Sequence, residues 1–178
     1  MYDKSMLKVN KTDLGGVFMV TPPTVFRDFR GTYIETYNKD AYRKLEIEVG
    51  HELNFIQDDI SSSTKNVLRG IHGDQKTWKL ISCLQGSFYF VVVNNDPEST
   101  EYRKWQSFSM SDDNNLQILV PPKFGNGHLV TSEMAIFHYK QTTYYDREGQ
   151  FTINWDDRDF NVKWPTVSPI LSERDAGV

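Results

Sequence analysis

The feature that most constrains this chain is a succession of short runs rich in β-branched and aromatic residues, separated by clusters of turn-forming residues. This rhythm is typical of a β-sandwich or barrel and disfavours folds in which strands alternate with helices. The predicted strands cover residues 16–20, 30–37, 52–60, 67–70, 78–84, 87–93, 102–109, 117–120, 128–131, 135–144 and 151–155. Only residues 39–45 have the charge and apolar spacing of a helix. The sequence therefore predicts an all-β fold.

Nearly every position from Ser87 to Val93 is apolar, so both faces of this strand should be covered. One cover would be the barrel interior, and the other a second sheet or a partner subunit, which favours a homodimer. The tail from about residue 165 contains Pro165 and Pro169 and should pack back over the barrel as an extended arm. Because no linker or repeat divides the chain, we expect a single domain over residues 1–178.

Composition excludes several classes of function. The formal net charge is −4, which leaves no basic surplus for a nucleic-acid backbone. No apolar run is long enough to span a membrane, and the first residues lack the pattern of a secretory signal. The single cysteine, Cys83, fits a reducing compartment, so we expect a cytoplasmic protein without membrane or nucleic-acid partners.

Two segments carry candidate acid–base groups. His72 lies between Gly70 and Gly73 at the end of an apolar run, where a ligand can approach closely, and its ordinary pKa suits a general base. A hydrogen-bonded structural histidine is an equally good interpretation of its position alone. His138 and Tyr139 are neighbours on one strand and must face opposite sides, but the pattern does not decide which of them faces inward.

A rigid turn at residues 121–128, which re-enters a strand, would place Asn126 or His128 at the mouth of a barrel. His72, Asp74 and His128 are residue types that bind first-row metals. Metal-dependent barrels of this shape usually supply two histidines one residue apart, whereas this chain has His-Gly-Asp. We therefore expect no metal.

Several motifs lie along nearly the whole chain in a fixed order. They are Phe26-Arg27-Asp28-Phe29-Arg30-Gly31 with Glu35, Phe55-Ile56-Gln57-Asp58, Asn66-Val67-Leu68-Arg69-Gly70-Ile71-His72, Lys79-Leu80, Tyr139-Lys140, Trp155-Asp156-Asp157 with Trp164-Pro165, and Leu171-Ser172-Glu173-Arg174-Asp175. This ordered set resembles the dTDP-4-dehydrorhamnose 3,5-epimerases. The resemblance implies a cupin-type double-stranded β-helix, a jelly-roll barrel with short peripheral helices, that is usually a homodimer.

The resemblance also implies a cofactor-independent reaction on a 4-keto sugar attached to a nucleoside diphosphate. The ketone at C4 acidifies the hydrogens at C3 and C5, so a base can remove one and form an enolate. By matching position, His72 would be the base, Asp175 the carboxylate that orients it, and Tyr139 the acid on the opposite face. Lys79 and Arg69 match cations that stabilise the oxyanion. The positions that match nucleotide- and sugar-binding residues, some lent by the neighbouring subunit, are Arg30, Phe26, Glu35 and Gln57.

The chain departs from the family pattern around the sugar. Asn126 stands where the family usually has a histidine, with His128 two residues later, and Asp59, Gly73-Asp74-Gln75 and Thr77-Trp78 also differ. Gly-Ile-His-Gly-Asp with Gly-Asn-Gly-His resembles a branch that acts on GDP-linked 4-keto-6-deoxy-heptoses for bacterial capsules, and we expect that substrate. Asn126 and His128 would contact it.

Three alternatives remain at this point. One is a dTDP-4-keto-6-deoxyhexose 3,5-epimerase, and another is a metal-dependent cupin enzyme. The third, from a different class, is a non-catalytic barrel that binds a sugar nucleotide. Whether C3 alone or both C3 and C5 are inverted stays open.

Overall fold

The structure is a computed structural model that describes residues 6–23 and 25–177. Its strands are β1 Lys8–Lys11, β2 Phe18–Thr21, β3 Val25–Asp28, β4 Gly31–Ile34, β5 Gln57–Thr64, β6 Leu68–Gly73, β7 Lys79–Gln85, β8 Ser87–Asn94, β9 Trp105–Ser111, β10 Gln117–Val120, β11 Phe124–Val130, β12 Met134–Gln141 and β13 Phe151–Thr152. Its helices are α1 Lys39–Val49 and α2 Glu173–Ala176. The single domain expected over residues 1–178 includes residues 1–5, Thr24 and Val178, which lie outside the described residues, and it stays a prediction.

Two antiparallel sheets form the barrel. The six-stranded sheet has the order β1-β2-β10-β7-β12-β5, and the five-stranded sheet has the order β13-β6-β11-β8-β9. Their inner faces share one core, which includes Ile81 and Phe137 from the first sheet and Phe88 and Phe90 from the second. This arrangement confirms the predicted all-β jelly-roll barrel with short peripheral helices.

The strand with two apolar faces is β8, and both of its covers come from this chain. Phe88 and Phe90 face the barrel core. Val91 and Val93 face the other way and pack against Ile153 and the residues around it. The cover is thus the segment after β12, neither a second sheet nor a partner subunit. The apolar pattern of β8 therefore gives no support to a homodimer.

Helix α1 covers the outer face of the six-stranded sheet. The side chain of Asn38 accepts hydrogen bonds from two backbone amides of the first turn, and Gly50 ends the helix in the left-handed conformation. Tyr42 and Leu45 are buried against Leu80 and other apolar residues of the sheet. The helix extends four residues beyond the predicted end at Leu45. Neither of the described helices is long and apolar enough to cross a membrane.

Other element boundaries differ from the prediction for local reasons. Strand β1 has a polar sequence and is mostly exposed, so it lacks the apolar alternation on which the prediction depended. Residues 26–28, for which no strand was predicted, belong to β3 of the hairpin β3–β4, which turns at Phe29 and Arg30. Strand β11 already begins at Phe124, inside the segment predicted as a rigid turn.

The tail returns along the start of β6. Ile170 forms a parallel bridge with Val67, and its backbone exchanges hydrogen bonds with Asn66 and Leu68. The Asn66 side chain also holds the tail, because it donates to the carbonyl of Ser168 and accepts from the hydroxyl of Thr166. After this contact the chain forms α2, which the sequence did not predict. The tail thereby carries the residues of α2 to the end of the barrel.

Candidate active site

A cavity of about 630 Å³ opens between the two sheets at one end of the barrel. Strands β5, β6, β7, β11 and β12 form its walls, and the segment after β12 and the C-terminal tail complete it. The lining residues are Ser61, Arg69, His72, Lys79, Asn126, His128, Phe137, Tyr139, Tyr145, Arg147, Gln150, Ser172, Glu173, Arg174 and Asp175. A cavity of this size accommodates a small-molecule ligand.

An irregular pairing of β6 with β11 brings Arg69 and His72 into the same cavity. His72 pairs with Asn126 and Arg69 pairs with His128, so the register shifts by one residue between the two pairs. Residues three apart on a regular strand face opposite sides, and the extra residue in β6 cancels that alternation. Gly70 lies in this bulge with a φ of +123°, and a Cβ atom there would lie 2.5 Å from the Gly127 Cα. The local backbone thus requires glycine.

The strongest polar contact in the cavity joins β6 to the tail. His72 Nε2 and Asp175 Oδ1 are 2.7 Å apart. Burial by itself would raise the pKa of Asp175, but hydrogen bonds from His72, from the Ser172 hydroxyl and from the Gly70 amide lower it below its ordinary value. An ionised carboxylate only accepts hydrogen bonds, so Nε2 carries the proton and Nδ1 keeps its lone pair. His72 can therefore act as a base.

Tyr139 faces the cavity together with Phe137, which resolves the orientation that the sequence left open. His138 faces outward, where its Nε2 lies 3.9 Å from Asp58 Oδ2. Tyr139 pairs across the strands with Asp59. Burial raises the pKa of the Tyr139 phenol, and the negative charge of Asp59 raises it further. The phenol therefore keeps its proton at neutral pH and can donate it.

Two cations reach the cavity from the sheets. The Arg69 guanidinium donates to the Ser63 hydroxyl at 2.9 Å. The Lys79 ammonium lies 3.9 Å from Asp74 Oδ2. Burial lowers the pKa of Lys79, and the nearby positive charge of Arg174 lowers it further, whereas Asp74 opposes this change. A cation in such a poorly solvated position interacts strongly with a negative charge that develops on a ligand.

His128 lines the cavity as a neutral ring. It is buried and stacks on Phe137, with ring centroids 4.2 Å apart and planes within 6° of parallel. Burial, with the charge of Arg69, lowers its pKa to about 3. Asn126 lies beside it on the cavity wall, and its Oδ1 is buried without a hydrogen-bond partner in the described part of the chain.

The remaining predicted residues lie outside the cavity lining. Phe26 and Arg30 lie in the β3–β4 hairpin, where the Arg30 guanidinium forms an ion pair with Asp28 at 2.6 Å. Glu35 follows that hairpin and is half-buried. Gln57 lies next to the cavity, since its Oε1 accepts a hydrogen bond from the Tyr145 amide. Within this chain the cavity therefore lacks the residues expected to hold the nucleotide.

The sequence did not point to several residues that line the cavity. These are Ser61 and Phe137 on strands, Tyr145, Arg147 and Gln150 after β12, and Ser172, Glu173 and Arg174 in the tail. The period-two pattern could have identified Phe137 as a cavity residue, because Phe137 shares a strand face with Tyr139. Ser172 has the sequence signal of a helix N-cap, and its side chain accepts from the Asp175 amide. The segment after β12 has no periodic pattern that indicates which side chains point inward.

Within residues 6–23 and 25–177, no three histidine, cysteine, aspartate or glutamate side chains converge in a way that could hold a metal ion. The cavity instead combines an oriented imidazole, a protonated phenol and nearby cations. These groups can remove a proton from a carbon acid, stabilise the resulting oxyanion and return a proton.

The chain resembles known proteins over almost its full length. Residues 11–178 match the family described as dTDP-4-dehydrorhamnose 3,5-epimerase. The dTDP-4-dehydrorhamnose 3,5-epimerase of Escherichia coli strain K12 is 37% identical over 173 residues, which cover 95% of this chain and 91% of that protein.

Two solved structures extend the similarity to the fold. The dTDP-4-dehydrorhamnose 3,5-epimerase of Elizabethkingia anophelis has a TM-score of 0.85 and 36% identity, covering 95% of this chain and 93% of that one. The Legionella pneumophila dTDP-6-deoxy-D-glucose-3,5-epimerase, solved with dTDP-4-keto-L-rhamnose, has a TM-score of 0.88 and 32% identity, with coverages of 96% and 90%. The chain therefore belongs to the dTDP-4-dehydrorhamnose 3,5-epimerase family, and it is an enzyme of the isomerase class.

Proposed function

We propose that this enzyme inverts C3 and C5 of a dTDP-linked 4-keto-6-deoxyhexose without a cofactor. The observation that carries the proposal is the placement of His72, Tyr139 and Lys79 on the walls of one cavity, with Asp175 bonded to His72. Family membership supplies the class of reaction, and these side chains supply the acid, the base and the cation that it needs.

In the first step, His72 removes the proton on the carbon beside the C4 ketone. The electrons of the C–H bond move into an enolate, whose charge resides mainly on the C4 oxygen. Lys79, aided by Arg69, stabilises this oxyanion, and the ionised Asp175 stabilises the imidazolium that His72 becomes. This step therefore transfers one proton from the sugar carbon to His72.

In the second step, Tyr139 delivers a proton to the same carbon from the opposite face. The enolate electrons form the new C–H bond, the ketone returns, and the carbon is inverted. The raised pKa of Tyr139 favours this role, because the phenol stays protonated until the enolate is present. Exchange with solvent then removes the proton from His72 and restores that of Tyr139.

The proposed nucleotide is dTDP, in place of the GDP-heptose expected from the sequence. The family description and the relatives named above all refer to dTDP sugars, and nothing in the comparisons supports a GDP-heptose or a capsule pathway. The departures at Asn126 and Asp74 remain features of this chain, but they do not identify its nucleotide. A role as a non-catalytic binding barrel is set aside, because the chain belongs to a family of enzymes.

We also propose that two copies of the chain form a homodimer in which the hairpin of β3 and β4 completes the partner's cavity. The hairpin forms its own two-stranded sheet, separate from both barrel sheets. Phe29 and Tyr33 on it are 98% and 67% exposed, which is unusual for large apolar side chains. Phe26 and Arg30, expected to hold the nucleotide, would then reach it from the other subunit. A cytoplasmic location stays a prediction.

The test is deuterium incorporation in deuterated water, followed by NMR of matched dTDP- and GDP-linked 4-keto-6-deoxy sugars. We expect deuterium at C3 and C5 of the dTDP sugar. The His72→Asn variant should show no incorporation, whereas His51→Asn, which changes an exposed histidine outside the cavity, should match the parent protein. Absence of exchange with every substrate would refute the epimerase proposal, and exchange with the GDP sugar alone would refute the nucleotide assignment.

A further inference from the structure

A largely buried ion pair lies behind the cation that is proposed to stabilise the oxyanion. Lys79 begins β7 and lines the cavity. Its Nζ lies 3.9 Å from Asp74 Oδ2, and the two side chains are only 10% and 12% exposed. Among the residues that the structure describes, no other carboxylate forms an ion pair with this ammonium, and the ammonium donates no hydrogen bond. Asp74 is therefore the counter-charge in direct reach of Lys79.

Hydrogen bonds from the backbone hold the Asp74 carboxylate in place. Its Oδ1 accepts from the amides of Lys76 and Thr77, at 3.0 and 2.7 Å. The Asp74 carbonyl accepts from the Lys123 amide at 2.7 Å, which connects this loop to the start of β11. An aspartate often caps its own loop in this way. The cap uses Oδ1, whereas Oδ2 is the oxygen that lies near Lys79.

The other charges around Lys79 do not replace Asp74. Burial lowers the pKa of Lys79, the positive charge of Arg174 lowers it further, and Asp74 opposes both effects. Of the two carboxylates that line the cavity, Asp175 is bonded to His72 and Glu173 is exposed. Strand β10, which pairs with β7 beside Lys79, has no ionisable side chain. The remaining ionisable groups of the lining are arginines, histidines and tyrosines, namely Arg69 and His72 on β6, His128 on β11, Tyr139 on β12, and Tyr145 and Arg147 after β12.

We infer that Asp74 is a positioning residue of the epimerase, which holds the Lys79 ammonium charged and in place for the C4 oxyanion without contacting the sugar. This inference rests on the proposed function, in which Lys79 stabilises the oxyanion. Asp74 lines a smaller neighbouring pocket and not the cavity itself, so its effect must pass through Lys79. Only a protonated lysine can donate to an enolate oxygen, and a carboxylate at this distance favours the protonated form. Because Asp74 is a departure from the family pattern, the resemblance gives it no role.

The first measurement is the pKa of Lys79 in the full-length protein without substrate. Protein labelled with carbon-13 in its lysine side chains is titrated by NMR through the alkaline range, and Lys79→Arg identifies the signal of Lys79 by its loss. Asp74→Asn removes the charge but keeps an oxygen that can accept from the loop amides. We expect this variant to lower the pKa of Lys79 by about one to two pH units, the usual effect of losing an opposite charge at this distance.

Two further variants make the comparison specific. The matched control is Asp146→Asn, which removes an exposed carboxylate from the same neighbouring pocket and should leave the pKa of Lys79 as in the parent protein. Melting curves show whether each variant is folded. Asp74→Ser, whose hydroxyl can also accept from the loop amides, gives the same comparison if the asparagine variant does not fold.

The second measurement is the pH profile of deuterium exchange into the sugar. The alkaline limb of the exchange rate should follow the deprotonation of Lys79, because the raised pKa of Tyr139 keeps the phenol protonated in that range. In Asp74→Asn this limb should move to lower pH by the same amount as the pKa of Lys79. The acid limb, which belongs to His72, should stay in place. A residue that only caps its loop would move neither limb.

Two results would overturn the inference. One is a Lys79 pKa within about 0.3 pH units of the parent value in a folded variant without the Asp74 charge, because Asp74 would then be only the cap of its loop. The other is a lowered Lys79 pKa with an unmoved alkaline limb, because the ion pair would then not affect proton transfer. If the parent protein exchanges no deuterium, the proposed function fails, and the NMR titration still decides whether Asp74 keeps Lys79 charged.

Discussion

Replacing Asp175 with asparagine tests how the tail contributes to the reaction. The Asp175 carboxylate is buried, lies 2.7 Å from His72 Nε2 and also accepts from Gly70 and Ser172. Asparagine has nearly the same size and keeps one oxygen that can accept a hydrogen bond. The substitution therefore removes the negative charge opposite the imidazole while keeping most of the packing.

The size of the effect follows from the distance. Two unit charges centred about 4 Å apart interact by about 4 kcal/mol at the effective dielectric constant of a site near the surface. The His72 side chain is 23% exposed, and solvent screens part of this interaction. The imidazolium should therefore lose about 2–4 kcal/mol of stabilisation. Because each 1.36 kcal/mol changes a rate tenfold, proton removal should slow by about 30- to 1000-fold.

The assay is the rate of deuterium incorporation under single-turnover conditions, which reports proton removal without product release. A melting curve of Asp175→Asn should show that the variant is folded. Asp156→Asn, which removes an exposed carboxylate in the same C-terminal segment, is the control and should keep the parent rate. A folded Asp175→Asn variant that exchanges within threefold of the parent protein would show that the carboxylate does not act on the base.

Three further predictions concern the acid, the neutral histidine and the bulge. Tyr139→Phe should keep deuterium exchange within about tenfold but lower inversion by about 100-fold or more, as measured by NMR of the product, and equal losses of both would contradict its role as the acid. His128 stays neutral to about pH 3 in the native state but takes up a proton below about pH 6.5 when unfolded, so the free energy of unfolding should fall by about 2 kcal/mol from pH 7 to pH 5. In urea titrations, the free energy of unfolding should fall less from pH 7 to pH 5 in His128→Gln than in the control His51→Gln. Gly70→Ala should lower the free energy of unfolding by about 3 kcal/mol or more, because its Cβ meets the Gly127 backbone, and an unchanged urea midpoint would contradict the assigned bulge geometry.

The sequence predicted the fold class because most strands have one apolar face on the barrel core. The alternation in β12 and the apolar run of β8 are visible in the residues themselves. Strand β1 was missed because its side chains are mostly exposed and show no apolar alternation. The pairing with β2 determines the conformation of this segment more than the amino-acid composition does. Helix α2 was missed because four residues are too few to show helical periodicity.

The site was predictable only in part. Period-two alternation on β12 shows that Tyr139 and His138 face opposite sides, but only the register with β5 and β7 shows which side is the cavity. The resemblance to a family supplied His72 and Asp175, which are far apart in the sequence and meet only after the tail has returned along β6. No local pattern marks Arg147, because its segment has neither periodicity nor regular structure.

The side chains that line the cavity form two groups according to their place in the fold. His72, Lys79 and Tyr139 come from barrel strands, whose positions are fixed by pairing on both sides. Arg147 and Arg174 come from segments outside the two barrel sheets. Replacing either arginine therefore changes the charge of the cavity without changing the strands that hold His72, Lys79 and Tyr139. Asp175 is the exception, since it lies on the tail yet contacts the base, and it makes the docking of the tail a requirement for the chemistry.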